Sequence, residues 1–491
     1  MSASSYPYPE PVFVCALGFY EACAGESCYG EHEGERYCVL HFPGEKKDSD
    51  FDKALQKKLN NKYFNFKRVW FPDDISFQLF EFTEEADFSY AVFSETVDFS
   101  GAKFPAGADF LDARFSAAAD FSSAKFKGAY FGYARFSAAV DFSYAEFSAR
   151  ANFGSARFSA AADFHEANFS AVADFHKADF GAEANFQQAN FGAEAYFPEA
   201  NFSPANFSYA TFSAYASFIA ASFSAMANFS SASLSAKANF DEAVFADHLR
   251  FAGSESRVLF TLRSSLSLRF ARIEKPDHVA FHALTLRPHW FVNVDARNFD
   301  LSNVDWVWRT VNEEINRLCE NKVSSPHNEL FIACRRLADN AEENHRYEEA
   351  SRFRYMAMEA RRLESWRGFA PWRLSWWYWL ASGYGERVWQ AFFVLLGILL
   401  LSALLYTQVG FARWEPKVGN ESDVIVAKRD ELGAPLRFSR ALTYSLGVMI
   451  LQKPEPRPAT TAAQTVVLFE TVLGPVQAAL LALAIRRKFM R

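Results

Sequence analysis

From Phe66 to Phe251 a phenylalanine, replaced once by Leu234, returns after five residues, then six, then five again, through 34 intervals. Around it recur triplets such as Ala86-Asp87-Phe88, Ala119-Asp120-Phe121, Ala151-Asn152-Phe153, Ala184-Asn185-Phe186 and Ala238-Asn239-Phe240. A helix cannot use this spacing. At 3.6 residues per turn, steps of five and six swing successive rings through roughly 140° and 240°, so no apolar stripe forms. In an extended chain the small residue two before each Phe points the same way as the ring, and the Asp or Asn between them points outward. Short strands joined by tight corners follow, and Asp, Asn, Ser and Gly suit those corners.

This run resembles the pentapeptide-repeat family, whose unit is a small residue, Asp or Asn, a central Leu or Phe, and two variable positions. The resemblance implies a mixed fold whose first part is a right-handed quadrilateral β-helix, with four units and here about 22 residues per coil. The extra residue is missing between Phe126 and Phe131 and between Phe202 and Phe207. Those gaps lie fourteen units apart, which places the two tightened corners on opposite sides of the coil. At ~4.8 Å per stacked strand, 8.5 coils make a rod about 40 Å long, held by nearest-neighbour stacking.

The rod's outward charges from Glu84 to Arg250 are 20 acids against 10 bases, within a chain of 491 residues and net charge −7. Some pentapeptide-repeat proteins imitate DNA with such a surface. Many of these acids sit directly before Phe, however, where bonding at the corner accounts for them, and no nucleic-acid partner is expected from an acidic chain.

Four of the six cysteines lie between Cys15 and Cys38, close to His41. Three Cys and one His suit tetrahedral zinc; the expected ligands are Cys15, Cys28, Cys38 and His41, with Cys23 as the alternate. The stretch from Tyr37 to Pro43 also resembles a Cys and His knuckle found ahead of some pentapeptide-repeat proteins. A structural zinc is expected, because no HExxH or comparable catalytic pattern is present. No basic region precedes the apolar stretch Val12 to Phe19, so no cleavable signal peptide is expected. Phe51 to Leu59 reads as a helix, with Lys57, Lys58 and Lys62 on its solvated face. After Phe251 the repeat loosens into irregular coils or a cap, and His278, His282 and His289 read as structural residues.

Helical spacing then takes over. Leu330, Cys334, Leu337 and Ala341 form one stripe, and Tyr347, Ala350, Phe353 and Ala357 a second; the pair resembles a single tetratricopeptide-like hairpin, which must pack on something else. The expected organisation is a Cys/His segment (1–50), a helical cap (51–65), the β-helix (66–251), irregular coils (252–310), the hairpin (311–364), a Trp-rich interfacial segment (365–387) and a membrane domain (388–491).

Trp366, Trp372, Trp376, Trp377 and Trp379 precede Val388–Val409, 22 residues without a charge and long enough to cross a bilayer. A second run, Ala462–Ile485, is interrupted by Glu470 and by Gly474-Pro475, and ends at Arg486-Arg487-Lys488. Glu470, Gly474 and Gln477 share one helical face. An acid in lipid is costly and normally faces a bundle interior or water, so Glu470, Gly474, Gln477 and Leu481 are expected to line an axial pore, hinged at Gly474 and Pro475. Between the two runs, Ala441–Leu451 is too short to span and suits a re-entrant helix.

This half resembles two-span tetrameric potassium channels at Ser382-Gly383-Tyr384-Gly385-Glu386-Arg387, at Ala441-Leu442-Thr443-Tyr444-Ser445-Leu446, and at Glu470-Thr471-Val472-Leu473-Gly474-Pro475. Bacterial proteins that join pentapeptide repeats to such a pore share the order. The resemblance implies a homotetramer in the inner membrane. In place of the family's Thr-x-Gly-Tyr-Gly filter, however, stands Gln452-Lys453-Pro454-Glu455-Pro456-Arg457-Pro458. Three prolines cannot form the required ring of backbone carbonyls, so potassium selectivity is not expected, and Gln452, Lys453 and Glu455 would mark the pore entrance. Basic residues crowd the outer ends of the two runs, favouring cytoplasmic termini. The expected function is an oligomeric, channel-like membrane protein whose cytosolic rod senses or docks a protein partner. The alternative is a non-conducting membrane-anchored scaffold. An enzyme is not expected, for want of a phosphate loop, nucleophile elbow or paired carboxylates.

Overall fold

The computed structural model describes residues 15–16, 23, 28–44, 48–254, 259–261, 263–364, 372–409, 411, 436–454 and 457–489. The chain forms two units, Met1–Trp308 and Arg309–Arg491.

In the first unit, two-residue strands stack in parallel into four sheets of 10, 11, 7 and 9 strands. The pairing is one strand per side per turn: Ala86 lies over Ala108, and Phe93 over Phe115, 22 residues on. Where the extra residue is missing the offset drops to 21, as in Ala108↔Ala129 and Ala184↔Ala205. The two tightened corners join different pairs of sheets and so lie on opposite sides of the coil.

Alternation follows the pleat. Ala86 and Phe88 are fully buried while Asp87 between them is not. Each ring stacks on the ring one coil away, for example Phe88 on Phe110 with centroids 4.9 Å apart and planes 2° off parallel. It also meets rings of neighbouring sides edge-on, as Phe88 does Phe99 at 5.4 Å and 81°. Both geometries are favoured by the ring quadrupole. One rung is aliphatic: Leu234 replaces Phe and is equally buried.

The corners explain the spacing of five and six. In the five-residue steps, Ala91 N–H donates to Phe88 O, and Tyr90 adopts φ 60; the extra residue lies in the alternate, six-residue steps. The equivalent residue takes a positive φ in coil after coil from Leu79 to Glu242, yet only Gly101 is a glycine among them. Each non-glycine left-handed residue costs about 1 kcal/mol, which ring burial of ~1.5–3 kcal/mol outweighs. The outward Asp and Asn side chains lock the same turns: the Asp87, Asp120 and Asp163 carboxylates accept from the backbone N–H two residues on, at 2.7–2.9 Å.

Helix α1 (Asp48–Asn60) closes one end, with Phe51 edge-on to Phe71 at 5.8 Å. Lys58 does not lie on its solvated face. It is buried over the Tyr63 ring and donates to Asn65 O at 2.8 Å, because the first coil's carbonyl has no strand beneath it. At the other end the coil continues irregularly to Trp306, with offsets of 28, 30 and 20 residues. With eleven strands in the longest sheet, the stack is about 48 Å tall at ~4.8 Å per strand. Buried Trp290 and Phe291 fill the last turns.

The second unit is helical. α2 (Val311–Glu320) precedes the hairpin α3 (Pro326–Glu343) and α4 (Tyr347–Leu363), turned at His345 with φ 59. Both stripes are buried, Leu330, Cys334 and Leu337 against Ala350, Phe353 and Ala357. Burial in this apolar seam pushes the Cys334 thiol well above its ordinary value. Then come α5 (Leu374–Ser382), α6 (Val388–Tyr406), α7 (Phe438–Met449) and α8 (Thr461–Phe489). α6 and α8 are long and apolar enough to cross a membrane, about 28 and 40 Å at ~1.5 Å per residue. Large apolar side chains stand exposed on both, including Trp389, Phe393 and Leu401 on α6 and Leu468, Phe469 and Val472 on α8. α7, at twelve residues too short to span, packs with both.

Candidate functional site

Glu470 sits at the centre of the three-helix packing. Its carboxylate accepts from the Tyr406 hydroxyl of α6 at 2.5 Å and from the Ser445 hydroxyl of α7, and Ser445 is also 3.2 Å from Leu399 O. Around it close Tyr406, Phe411 and Tyr444, whose rings meet edge-on at 5.0–5.5 Å. Only 2% of Glu470 is exposed. The acid therefore ties α8 to two helices of its own chain.

The rest of the stripe points the same way. Gln477 donates to Ala381 O and Ala391 O at 2.7 and 2.9 Å, joining α8 to the end of α5 and the first turn of α6. A Cβ on Gly474 would come within 2.9 Å of Met449 Cγ and 3.2 Å of its Cα, so glycine lets α7 approach α8. Glu470, Gly474 and Gln477 thus face inward against the chain's own helices, which corrects the expectation that they line an axial pore; Leu481 is half-buried. The correction has a simple cause: a polar stripe needs partners, and Tyr406, Ser445 and two open carbonyls supply them within one chain. Nor does α8 break at Gly474-Pro475: it runs unbroken through both, Pro475 merely lacking the N–H that Thr471 O would accept. Gln452 and Lys453 are exposed in the turn after α7, where Leu451 adopts φ 61, while Glu455 lies outside the described residues.

A second constellation was not anticipated. The loop Gly383-Tyr384-Gly385 has three consecutive positive φ values, and Gly385 is pinned because a Cβ would sit 2.9 Å from the Tyr378 hydroxyl. This sharp fold turns Glu386 inward. Its carboxylate accepts from Ser351 Oγ (2.7 Å) and Arg354 Nε (3.1 Å) on α4, and from Arg487 Nη1 (3.0 Å) at the end of α8. Arg487 Nη1 also donates to Tyr384 O. Beside it the Tyr384 hydroxyl donates to Glu359; burial and that carboxylate raise the Tyr384 pKa well above its ordinary value. One carboxylate thus joins the hairpin, the loop before α6 and the end of α8. In sequence the only signal was an acid beside an apolar run, inside a motif noted for resemblance alone.

Near the start of the chain, β1 (Cys28–His32) and β2 (Glu35–Cys38) form a hairpin. The thiols of Cys15, Cys23 and Cys38 and a His41 ring nitrogen lie within 4.8 Å of one another. Cys28 is not among them: an irregularity between Cys28 and Gly30 leaves its thiol exposed, so Cys23 takes the place expected for Cys28. His41 Nε2 lies 3.0 Å from Lys67 O, which fixes its proton there and leaves Nδ1 facing Cys23 and Cys38 at 2.9 and 3.1 Å. This outer hydrogen bond is the usual support of a metal-bound imidazole, and the donor set fits tetrahedral zinc. Burial disfavours a charged His41, but its thiol partners outweigh burial and hold it at about 9. Cys15 is drawn far below the usual thiol range by hydrogen bonds with Cys23 and Cys38, and Cys23 is correspondingly pushed up.

The three late histidines are not gathered. His289 is buried in the cap, His282 bonds Ser302 at 2.9 Å, and His278 packs instead against His248.

A family model described as pentapeptide repeats (9 copies) matches residues 77–125, 121–168 and 164–211. The rod is built of pentapeptide repeats. No curated protein and no solved structure gives a match to the chain.

Proposed function

We propose that the chain is a homo-oligomeric, channel-like membrane protein, with α6 and α8 spanning the bilayer, α7 re-entrant between them, and both termini on the cytosolic side. The observation that carries this reading is a helix too short to span, held between two span-length helices by one buried carboxylate. Exposed Leu468, Phe469, Val472 and Val476 on α8 supply an apolar face for lipid or for further copies. Any conduction path would be lined by residues outside the Glu470 stripe. Glu386 gives the route by which the hairpin acts on the membrane helices, since a shift of α4 pulls on Arg487 through it. A zinc ion at Cys15, Cys23, Cys38 and His41 would serve folding, because small thiolate sites contribute folding energy directly.

Purified protein reconstituted in liposomes should run as an oligomer and pass ions in a flux assay, with Glu386→Ala changing the flux without abolishing assembly. A monomer, or no flux under varied voltage, tension and salt, would overturn the reading.

One observation favours the scaffold alternative. Arg114, Arg135 and Arg157 stack in register on one side of the pentapeptide-repeat rod. Arg135 and Arg157 line a groove of about 340 Å³ together with Tyr133, Ser155, Lys177, Asp179 and Asn201; Asp179 lies in register with Arg157, and Asp112 stands 3.9 Å from Arg135. Three bases against one acid in the groove suit an acidic protein segment. Binding of a poly-glutamate peptide that Arg135→Glu and Arg157→Glu abolish, combined with absent flux, would establish the scaffold.

A further inference from the structure

The dipeptide Asp-His occurs in two consecutive coils, as Asp247-His248 and Asp277-His278. Thirty residues separate them, which hides the relation in a rod whose ordinary coil is 22. Strand pairing reveals it, because Leu249 lies over Val279 and so brings the two dipeptides onto adjacent rungs of one column. Their rings lie 4.1 Å apart between centroids, tilted by 32°. Both Nδ1 atoms stand 3.0 Å from the same oxygen, Asp247 Oδ1. The rungs before and after carry Met226 and Asn298, so the column holds histidine only here.

We propose that Asp247, His248 and His278 bind a divalent transition-metal ion of the zinc type, with solvent completing the coordination. The three candidate ligand atoms lie within 4.8 Å of one another. Tetrahedral bonds of about 2.0–2.1 Å place neighbouring ligand atoms ~3.3 Å apart, close to the 3.0 Å found between Asp247 Oδ1 and each Nδ1. Imidazole nitrogen and carboxylate oxygen together suit zinc-like ions over calcium or magnesium, which take oxygen. Asp277 Oδ2 lies 3.7 Å from His278 Nε2, just beyond hydrogen-bond length; a small rotation of this exposed carboxylate would supply the outer hydrogen bond that orients a ligating imidazole. Lys275 Nζ, 3.0 Å from Asp247 Oδ1, holds the carboxylate in place and competes with the ion for it. The site occurs where the regular rod gives way to the irregular coils, and a bound ion would staple the first long coil to the last regular one.

Both imidazoles are solvent-accessible, 52% and 32% exposed, so their removal leaves the core intact. The experiment is zinc titration of the full chain in detergent by calorimetry, with metal content read by mass spectrometry. A Cys38→Ser variant separates this site from the thiolate cluster. It should retain one zinc per chain on nitrogen and oxygen ligands in X-ray absorption, and adding His248→Ala or His278→Ala should remove that ion while circular dichroism stays unchanged. Lys275→Ala should tighten binding severalfold by releasing Asp247. Zinc stoichiometry unaffected by either His substitution, or binding weakened by Lys275→Ala, would overturn the proposal.

Discussion

The pentapeptide-repeat rod and the helical unit solve the burial problem in opposite ways. In the rod the same contact is made dozens of times, so each ring has equivalent neighbours above and below, and the corners are locked by repeated local hydrogen bonds. In the helical unit a few side chains each make a contact found nowhere else: Glu470 to Tyr406 and Ser445, Gln477 to two carbonyls, Glu386 to α4 and α8. Redundancy makes the rod tolerant of change on its outside and uniform along its length. Singularity makes the helical unit sensitive at few positions, and those are where a signal can act.

Substitutions at four positions probe this contrast. The largest effect belongs in the rod's core, where Phe142→Ala should cost about 3–5 kcal/mol in denaturant unfolding through loss of burial and an unfilled cavity. Phe142→Leu should cost far less, because an aliphatic side chain keeps most of the burial, as buried Leu234 does on another side of the coil. In the helical unit Glu470→Ala removes the acceptor of the buried Tyr406 hydroxyl and leaves Ser445 only Leu399 O, and should cost about 1–3 kcal/mol, seen as a lower melting temperature in detergent. Glu470→Gln, which retains one acceptor oxygen, should fall between that variant and the native protein. Gly474→Ala, crowding a flexible Met449, should cost about 1 kcal/mol. Smallest is Asp120→Ala at one corner among many, with a loss of about 0.5–1 kcal/mol.

The same contrast decides what could be read in advance. Periodicity carried the rod: the spacing of Phe excluded a helix, fixed which side chain points inward, and located both 21-residue coils. It did not show that the middle of each five-residue step adopts positive φ, because Tyr, Ser, Glu and Lys occupy that place where glycine would have announced it. It also missed the His248–His278 column, since a 30-residue coil breaks the period that would have aligned them. For the helices, composition gave their existence and the shared face of Glu470, Gly474 and Gln477. Which way that face looks depends on partners 64 and 25 residues from Glu470, and no local pattern encodes them. The same holds for Cys23, brought to His41 by the fold of the β1–β2 segment, while Cys28, closer in sequence, is left outside.

The central claim is that Glu470 is spent on its own chain. A double-mutant cycle of Tyr406→Phe and Glu470→Gln, followed by thermal unfolding of the detergent-solubilised protein, tests it directly. The account predicts that the two losses fail to add, with a coupling of about 1 kcal/mol or more. Additive losses would contradict it and return the carboxylate to a position outside this packing.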